Sequence, residues 1–363
     1  MKHASVVDKL ILSGASILLL CIFFVVAGCS TGACPVDSRA VYYWRTTLKL
    51  SEEEKRFIAD NDIDVVYLHL FDVRDIDGEL MPTSTLRFRD TIPGSVRVIP
   101  VIFIEPGALN GSAPVDSLAL RIISRCDKML TQNGYPLPDE VQIDFDWTLS
   151  NRKKYYAVLE NAADILHSCG RRLSTTIRLH QLAQDPPPVD RGVLMVYNTG
   201  NITDFSTTNS ILDCNSVKPY IRMLRSYRLP LSTALPVYSW DVVFSGGEFK
   251  ALSRSLEVTD TAMFVPEHDG RYRCIKYGPL AMAGSRDGLG GRIYPGDVVR
   301  HEFVSPATLA AVFSEIKSAR PDVVRNIVLY HLDEKSILQY EPEFLEKLTD
   351  GSVSDWHSGA VGR

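Results

Sequence analysis

Short apolar runs alternate with longer amphipathic segments along most of the chain. Several of these runs are hydrophobic at almost every position, which is typical of parallel strands that are covered on both faces. The strand-like runs lie at residues 40–44, 63–71, 96–104, 141–147, 173–179, 193–198, 229–238 and 326–332. Eight such runs, with helical patterns between many of them, predict an α/β fold of the closed (β/α)8 barrel type, a TIM barrel.

Helix start signals support this alternation. Ser51, with Glu54 three residues later, forms a capping-box pattern that begins the first helix. Residues 151–168 place apolar side chains at helical spacing, and Gly170 just past them suits a C-terminal cap. Ser305 and Pro306 begin another helix as its cap and first-turn proline.

Two stretches depart from the regular alternation. Residues 180–192 include the prolines at 186–188 and leave no room for a full helix between the fifth and sixth strands. Residues 241–320 begin with short strand-like pieces and many glycines and end with a barrel helix. We predict an insertion there, between strands 7 and 8, that packs over one rim of the barrel. The barrel itself is then residues 39–240 and 321–349, and residues 350–363 form a C-terminal tail.

Composition and charge narrow the classes of function. The chain has 363 residues, of which 45% are hydrophobic, and this is enough for a sizeable core. The formal net charge is -5 and no basic block stands out, so nucleic acid is not an expected partner.

The first residues carry a targeting signal. Lys2 and Lys9 precede an apolar run at residues 17–27, and the run ends in small residues directly before Cys29. This segment resembles a bacterial lipoprotein signal, which implies cleavage before Cys29 and lipidation of that cysteine. We therefore predict a signal peptide at 1–28, a tether at 29–38, and a protein held by lipid on a bacterial membrane in the cell envelope, with the outer membrane preferred.

Cysteines do not indicate a disulfide framework. Seven are present, and five remain once Cys21 leaves with the signal and Cys29 takes lipid. The five are Cys34, Cys126, Cys169, Cys214 and Cys274. An odd number at wide spacings indicates neither a zinc site nor a set of disulfides.

The segment at residues 141–148, Val-Gln-Ile-Asp-Phe-Asp-Trp-Thr, is the most informative part of the chain. In an extended strand Asp144, Asp146 and Thr148 share one face, while Phe145 and Trp147 share the other. Burying a carboxylate is costly unless it is paired, so such residues suggest chemistry or binding. The alternative is an Asp pair that caps the following helix.

A barrel places its functional groups at the C-terminal ends of the strands. Here those ends bring aromatic residues beside carboxylates, a combination that suits sugar rings and glycoside chemistry. The candidate substrate contacts are Trp44, Asp72, Trp147, Arg178, Asn198, Tyr238, Trp240, Asp333 and Glu334. The candidate catalytic residues are Asp144, Asp146, Tyr197 and Glu105.

Three segments resemble glycoside hydrolase family 18, the chitinases and endo-β-N-acetylglucosaminidases. Residues 141–148 match two acids of the family motif DGxDxDxE, with Thr148 at the position of its final Glu. Residues 195–198, Met-Val-Tyr-Asn, resemble the motif MxYD, and residues 234–239, Ala-Leu-Pro-Val-Tyr-Ser, resemble GLPxYG. The order of the three along the chain is that of the family.

The resemblance implies roles for individual residues. Asp146 takes the position of the Asp that steadies the substrate's acetamido group, and Asp144 takes the supporting position. Two close carboxyl groups do not both ionise easily, so one of this pair is expected to titrate high and share a proton. Tyr197 matches a substrate hydrogen-bonding residue, and Asn198 replaces an acid. Thr148 is too weak an acid to replace the missing proton donor.

Two functional hypotheses follow, both with a carbohydrate ligand. In the first, a glycosidase acting on N-acetylglucosamine-containing glycans uses another acid, Glu105, Asp333 or Glu334, and one of these lies about 3 to 6 Å from the space above Asp146. In the second, the protein binds glycans without cleaving them. Metal-dependent hydrolysis is a lesser alternative, and because no metal-type spacing such as HExxH occurs we predict no metal and no cofactor.

Overall fold

A computed structural model of the protein describes residues 37–111, 113–282 and 291–353. The predicted signal peptide, the lipidation site Cys29 and most of the predicted tether lie outside the described residues, as do residues 354–363 of the predicted tail. None of the helices in the described ranges is long and apolar enough to cross a bilayer.

Eight parallel strands form a closed barrel, which confirms the predicted fold. In chain order they are β1 (Ser38–Tyr43), β2 (Val65–Ile76), β3 (Arg97–Ile104), β4 (Glu140–Asp144), β5 (Arg172–Arg178), β6 (Arg191–Met195), β7 (Leu231–Pro236) and β8 (Asn326–Tyr330). Each strand pairs with the next along the chain, and β1 closes the barrel by pairing with both β2 and β8. All C-terminal strand ends therefore meet at one mouth.

Helices cover the outside of the barrel. They are α1 (Glu52–Asp60), α2 (Leu118–Gln132), α3 (Arg152–Ser168), α4 (Cys214–Leu224), α5 (Pro306–Ala319), α6 (Glu334–Ile337) and α7 (Pro342–Thr349). The capping box of Ser51 and Glu54 begins α1 as predicted, and Ser305 caps α5. Only a short 3₁₀ turn, Leu179–Ala183, fits between β5 and β6, as the prolines indicated.

The connection from β2 to β3 has no helix. Instead β2 runs on past the barrel and pairs with the antiparallel strand Glu79–Thr83, and a two-residue strand, Arg87–Phe88, pairs with Thr47–Leu48. The sequence pattern did not indicate this hairpin.

The core has two layers, and strand alternation explains them. Side chains from one face of each strand lie in a large layer between the barrel and the helices. Side chains from the other face form a smaller cluster inside the barrel. The inner cluster consists of Ala40, Tyr42, Val65, Tyr67, Ile99, Val101, Val193, Met195, Ala234 and Val328. Beyond the last inner-cluster residue of a strand, the next inward-facing side chain reaches the mouth, as at Trp44, Phe103, Tyr197 and Tyr330.

The inner face of β4 is polar throughout, and each of its side chains has a partner. Glu140, with no exposed surface, pairs with Arg191 at 2.8 Å. Gln142 accepts a hydrogen bond from the Tyr42 hydroxyl at 2.7 Å. Asp144, the last of the three, pairs with Arg178. These partners offset the cost of placing polar groups inside the barrel.

The segment after β7 is a predominantly antiparallel β insertion, at the place predicted. Its main sheet has the order Glu248–Ser253, Ser239–Ser245, Val298–Phe303, Arg271–Cys274 and Phe264–Pro266. Gly246 and Gly247 form the tight turn between the first two strands in chain order, and both have positive φ (58° and 87°), which glycine adopts without strain. A second pairing joins Gly278–Leu280 to Gly291–Ile293.

Candidate functional site

A pocket of about 330 Å³ lies at the mouth of the barrel. We call it the barrel-mouth pocket, and most of its lining residues come from the C-terminal ends of strands and from the segments that follow them, while Tyr220 lies on α4. They are Trp44, Phe103, Asp144, Asp146, Arg178, Leu179, His180, Tyr197, Asn198, Thr199, Tyr220 and Tyr330. Six of the predicted site residues therefore lie together here: Trp44, Asp144, Asp146, Arg178, Tyr197 and Asn198.

Asp144 is held as an ion pair at the floor of this pocket. Its side chain is 5% exposed, and its Oδ1 accepts hydrogen bonds from the Thr176 hydroxyl and, at 2.9 Å, from an Arg178 Nη. Burial by itself would lower the pKa of Arg178. The electrostatic effects of Asp144, Tyr197 and Asp146 are together larger than that of burial, so the pKa of Arg178 is raised above its usual value. The other Nη of Arg178 is buried and has no hydrogen-bond partner among the described residues.

Asp146 has different surroundings. Its side chain is 45% exposed, and its Oδ1 lies 3.6 Å from His180 Nε2 and 3.4 Å from Gln181 Nε2. Asp144 and Asp146 bond to different partners, and the proton expected to be shared between them stays a prediction. Asp146 is thus the more accessible of the two acids.

The strand prediction failed at its last residues. β4 ends at Asp144, and the chain then turns, with the Trp147 amide bonded to the Phe145 carbonyl at 3.0 Å. Thr148 is exposed, does not line the pocket, and bonds to the Ser150 hydroxyl at 2.8 Å. Because the alternation stops at the strand end, Thr148 does not continue the face of Asp144.

Trp147 does not contact the pocket either. Its ring has no exposed surface and packs at 5.5 Å against Tyr156 of α3. The prediction that Trp147 binds substrate is therefore wrong, because the residue is part of the core. The alternative role for the Asp pair as a helix cap is also wrong, since the N-cap residue of α3 is Asn151.

Aromatic rings form much of the pocket wall. Trp44 stacks on His69 with ring centroids 4.5 Å apart, and Tyr197 stacks on Tyr330 at 4.9 Å. Burial, followed by the nearby Tyr330, raises the pKa of Tyr197 well above its usual value, so its hydroxyl stays protonated near neutral pH. Phe103 completes the wall beside Trp44 at 6.1 Å.

Sequence reasoning missed Tyr330 and Phe103. The signal was present, because each lies two residues beyond a residue of the inner cluster, Val328 on β8 and Val101 on β3. The same step of two leads from Tyr42 to Trp44 and from Met195 to Tyr197. Counting from the barrel interior outward would have identified these four aromatic residues, but not Tyr220, which lies on α4.

A second, larger cavity of about 710 Å³ lies between the barrel rim and the insertion. We call it the insertion pocket. Its lining residues are Tyr238, Ser239, Asp241, Arg254, Ser255, Leu256, Glu257, Val258, Thr259, His301, Phe303, His331, Asp333, Lys335, Ser336 and Gln339. Two predicted contacts, Tyr238 and Asp333, are here and not in the barrel-mouth pocket.

The two cavities adjoin each other. The Tyr238 hydroxyl donates a 2.9 Å hydrogen bond to Oδ1 of Asn198, which lines the barrel-mouth pocket and has a left-handed backbone with φ of 55°. Tyr330 lines one pocket and its neighbour His331 the other, and the peptide bond between them is cis.

The acids predicted to replace the missing proton donor do not line the barrel-mouth pocket. Glu105 is held by Arg74, with both carboxylate oxygens 2.8 Å from the Nε atom. Asp333 caps α6 by accepting hydrogen bonds from the amide and hydroxyl of Ser336. Glu334 is exposed at the start of α6. The first hypothesis, in the form that uses one of these acids, loses its structural basis.

Two further predicted contacts have structural partners instead. Asp72 Oδ1 is hydrogen-bonded to His69 Nε2 at 2.8 Å. Asp72 does not line either pocket. Trp240 is 8% exposed, and its indole N–H donates to Glu302 Oε2 at 2.7 Å. Both predictions of direct ligand contact are contradicted by these positions.

No group of three or more His, Cys, Asp or Glu side chains within residues 37–111, 113–282 and 291–353 is arranged to bind a metal ion. His180 does approach Asp146, but His331 lines the other cavity. The four cysteines in these ranges, Cys126, Cys169, Cys214 and Cys274, are free thiols.

No protein-family model matches the sequence, and no curated protein matches it by sequence. Solved structures do match the fold. The spore cortex-lytic enzyme SleL of Bacillus megaterium QM B1551 has a TM-score of 0.52 at 16% identity, covering 88% of this chain and 75% of that one. A chitinase from Chromobacterium violaceum ATCC 12472 has a TM-score of 0.53 at 11% identity, covering 88% and 99%.

A third match is catalytic domain 2 of the group II chitinase of Ostrinia furnacalis, a mutant in complex with (NAG)5. It has a TM-score of 0.50 at 12% identity and covers 88% of this chain and 97% of that one. At such identities these likenesses show the fold alone. They confirm the barrel expected from the resemblance to glycoside hydrolase family 18.

Proposed function

We propose that this protein binds N-acetylglucosamine-containing glycans in the barrel-mouth pocket. The observation that carries the proposal is that one pocket combines aromatic faces with a half-exposed carboxyl group and an unpaired arginine donor. Trp44, Tyr197 and Tyr330 supply the faces, Arg178 supplies an unpaired donor, and Asp146 supplies an accessible carboxylate. Sugar rings present apolar faces edged by hydroxyl groups, and such a wall complements both.

The fold matches support this ligand class. Two of the three are chitinases, and one of these was solved in complex with (NAG)5. The pocket volume of about 330 Å³ lies at the lower end of the range of about 300 to 1,000 Å³ for ligand sites.

Hydrolysis is a second candidate, and Asp146 favours it. Asp144 is in an ion pair with Arg178, and Glu105, Asp333 and Glu334, which follow other strands, do not line the pocket. Asp146 is the remaining acid on the pocket surface, and its exposed carboxyl group is free to act on a glycosidic oxygen. Asp144 and Arg178 then serve to position the substrate, as does the protonated hydroxyl of Tyr197.

Titration of the purified protein with (GlcNAc)4 and (GlcNAc)6, together with product analysis by chromatography, tests both candidates. Binding without product, in the wild type and in Asp146→Asn alike, supports a glycan-binding protein. Product formation that falls by about 10²- to 10⁴-fold in Asp146→Asn, with binding retained, supports a hydrolase that uses Asp146 as general acid. If the wild type binds neither oligomer, the proposed function is wrong.

We also propose that the protein is lipid-anchored through Cys29 in the bacterial cell envelope. The support comes from the sequence alone. It has a basic start, an apolar run and small residues before the cysteine. In a bacterial host fed labelled palmitate, the wild type should incorporate label and sediment with membranes. Cys29→Ala should do neither, while Cys34→Ala serves as the matched control. A Cys29→Ala protein that stays labelled would refute the anchor, and density-gradient fractionation assigns the membrane.

A further inference from the structure

Most charged side chains of the insertion pocket are matched by an opposite charge. Three ion pairs account for them: Asp241 with His301 at 2.7 Å, Asp333 with Arg45 at 3.7 Å, and Glu257 with Lys335 at 3.7 Å. The first pair depends on His301 being protonated and is otherwise a neutral hydrogen bond to a carboxylate.

Arg254 is the charged residue of this pocket that lacks such a match. Its guanidinium lies over the Tyr238 ring, 5.6 Å from the centroid, and within the described ranges no carboxylate is close enough to form a salt bridge with it. The residue is exposed and lines the insertion pocket, and a guanidinium carries five N–H donors. An arginine held in this way presents an unsatisfied positive charge to a ligand.

His331 orients Arg254 without neutralising it. An Arg254 Nη lies 3.4 Å from His331 Nε2, and because a guanidinium only donates, this nitrogen is the acceptor. Burial, then the charge of Arg254, holds the pKa of His331 well below its usual value, so the imidazole is neutral. Tyr238 and His331 together hold the guanidinium at the wall that separates the insertion pocket from the barrel-mouth pocket.

The position of Arg254 connects it to the proposed sugar site. Tyr238, on which it stacks, donates to Asn198 of the barrel-mouth pocket, and Tyr330 packs against Tyr238 at 5.7 Å between ring centroids. A glycan whose one sugar occupies the barrel-mouth pocket would extend towards the insertion pocket, with its next sugar beside Arg254.

We propose that Arg254 binds the carboxylate of an acidic sugar adjacent to the N-acetylated sugar in the barrel-mouth pocket. This inference rests on the proposed function and narrows the ligand class to acidic amino-sugar glycans. A planar guanidinium matches a carboxylate with two parallel hydrogen bonds, a geometry that lysine does not offer. The carboxylate can be part of a uronate ring or of an ether-linked lactate on an amino sugar, and the chemistry at Arg254 is shared.

Calorimetric titration of the purified full chain with matched probes tests the proposal. The probes are neutral (GlcNAc)4, a hyaluronan tetrasaccharide with ring carboxylates, a tetrasaccharide that alternates N-acetylglucosamine and N-acetylmuramic acid, and the methyl esters of both acidic probes. We expect at least one acidic probe to bind about tenfold or more tightly than its ester, and the probe that does so identifies the carboxylate source.

Two variants and one control complete the design. Arg254→Gln should remove the preference for acid over ester and leave (GlcNAc)4 binding unchanged, and Arg254→Lys should restore only part of it. Arg228→Gln, an exposed arginine just before β7 at the opposite end of the barrel, should behave as wild type.

Three outcomes would overturn the inference. If the wild type binds the acids and their esters equally, Arg254 does not recognise the carboxylate. Equal weakening of all probes in Arg254→Gln indicates a structural role. Failure of the wild type to bind any probe refutes the proposed function itself, and this inference falls with it.

Discussion

Asp144 and Asp146 are separated by one residue and have opposite surroundings. Asp144 ends β4 inside the barrel and is enclosed by Thr176 and Arg178, while Asp146 follows the strand end and faces the pocket. A buried carboxylate needs its cation, whereas a half-exposed one is solvated by water. The two residues should therefore respond differently to the same substitution.

We expect Asp144→Asn to lower the free energy of unfolding by about 3 kcal/mol, because it leaves the largely buried Arg178 without its counter-charge. Asp146→Asn, at a 45% exposed side chain, should change it by less than about 0.5 kcal/mol. Urea unfolding of the two matched variants measures the difference. Equal effects would contradict the ion pair as the reason for the burial of Asp144.

Trp44 is the aromatic residue most open to a ligand test. We expect Trp44→Ala to weaken (GlcNAc)4 binding about tenfold or more, because a sugar loses the face on which it stacks. Tyr277→Ala, at an exposed ring of the insertion that lines neither pocket, is the control and should bind as wild type. Calorimetry gives both affinities. An unchanged affinity in Trp44→Ala would place the sugar elsewhere.

At the scale of elements, a buried charge network attaches the insertion to the barrel. Arg300 and Glu302 lie on the strand Val298–Phe303, neither has an exposed side chain, and their ion pair is 2.6 Å long. Arg300 also donates to the carbonyls of Ile202 and Asp204 in the loop after β6, and Glu302 accepts from the amide and hydroxyl of Ser210. This network holds in place the loop that leads from Asn198 to α4.

Replacing one residue of this charge network should therefore destabilise both the insertion and the loop after β6. We expect Arg300→Met to lower the free energy of unfolding by about 3 to 5 kcal/mol, because Glu302 keeps a buried charge without its cation. Arg273→Met, which breaks an ion pair with Glu267 in the same sheet at a 52% exposed arginine, should cost less than about 1 kcal/mol. Denaturant unfolding compares them, and similar losses would argue against the network.

For the whole molecule, the buried imidazole of His331 links stability to pH. The pKa of His331 in the folded protein lies below the usual value of 6.5, chiefly through burial, so the folded state binds this proton less readily than the unfolded chain does. Stability from this group is therefore complete above about pH 6.5 and decreases as the pH falls below it, by up to about 1.4 kcal/mol per pH unit.

The measurement is the melting or urea midpoint between pH 7 and pH 4. We expect His331→Gln to flatten the acid side of the stability curve, since the uncharged amide has no proton to gain. His268→Gln, at an exposed histidine of the insertion, should leave the curve as it is in the wild type. A variant curve parallel to that of the wild type would show that His331 does not contribute.

The outcome of the sequence predictions differs between elements and site. The barrel, the α1 capping box and the position of the insertion were predictable, because hydrophobic periodicity and cap residues act over a few neighbouring positions. The end of β4 was not, and Trp147 and Thr148 were assigned to the wrong surroundings as a result. Glu105 was misplaced because its partner Arg74 lies on another strand.

The sequence by itself determined which segments become strands and helices, that they form a closed barrel, and that aromatic and acidic residues collect at its mouth. These follow from local patterns of burial, which the chain carries wherever it folds. The tertiary structure decided which of those residues share a pocket, that Asp144 is neutralised by Arg178, and that Arg254 has no such partner. Charge pairing and exposure depend on neighbours distant in sequence, and only the closed barrel with its insertion brings those neighbours together.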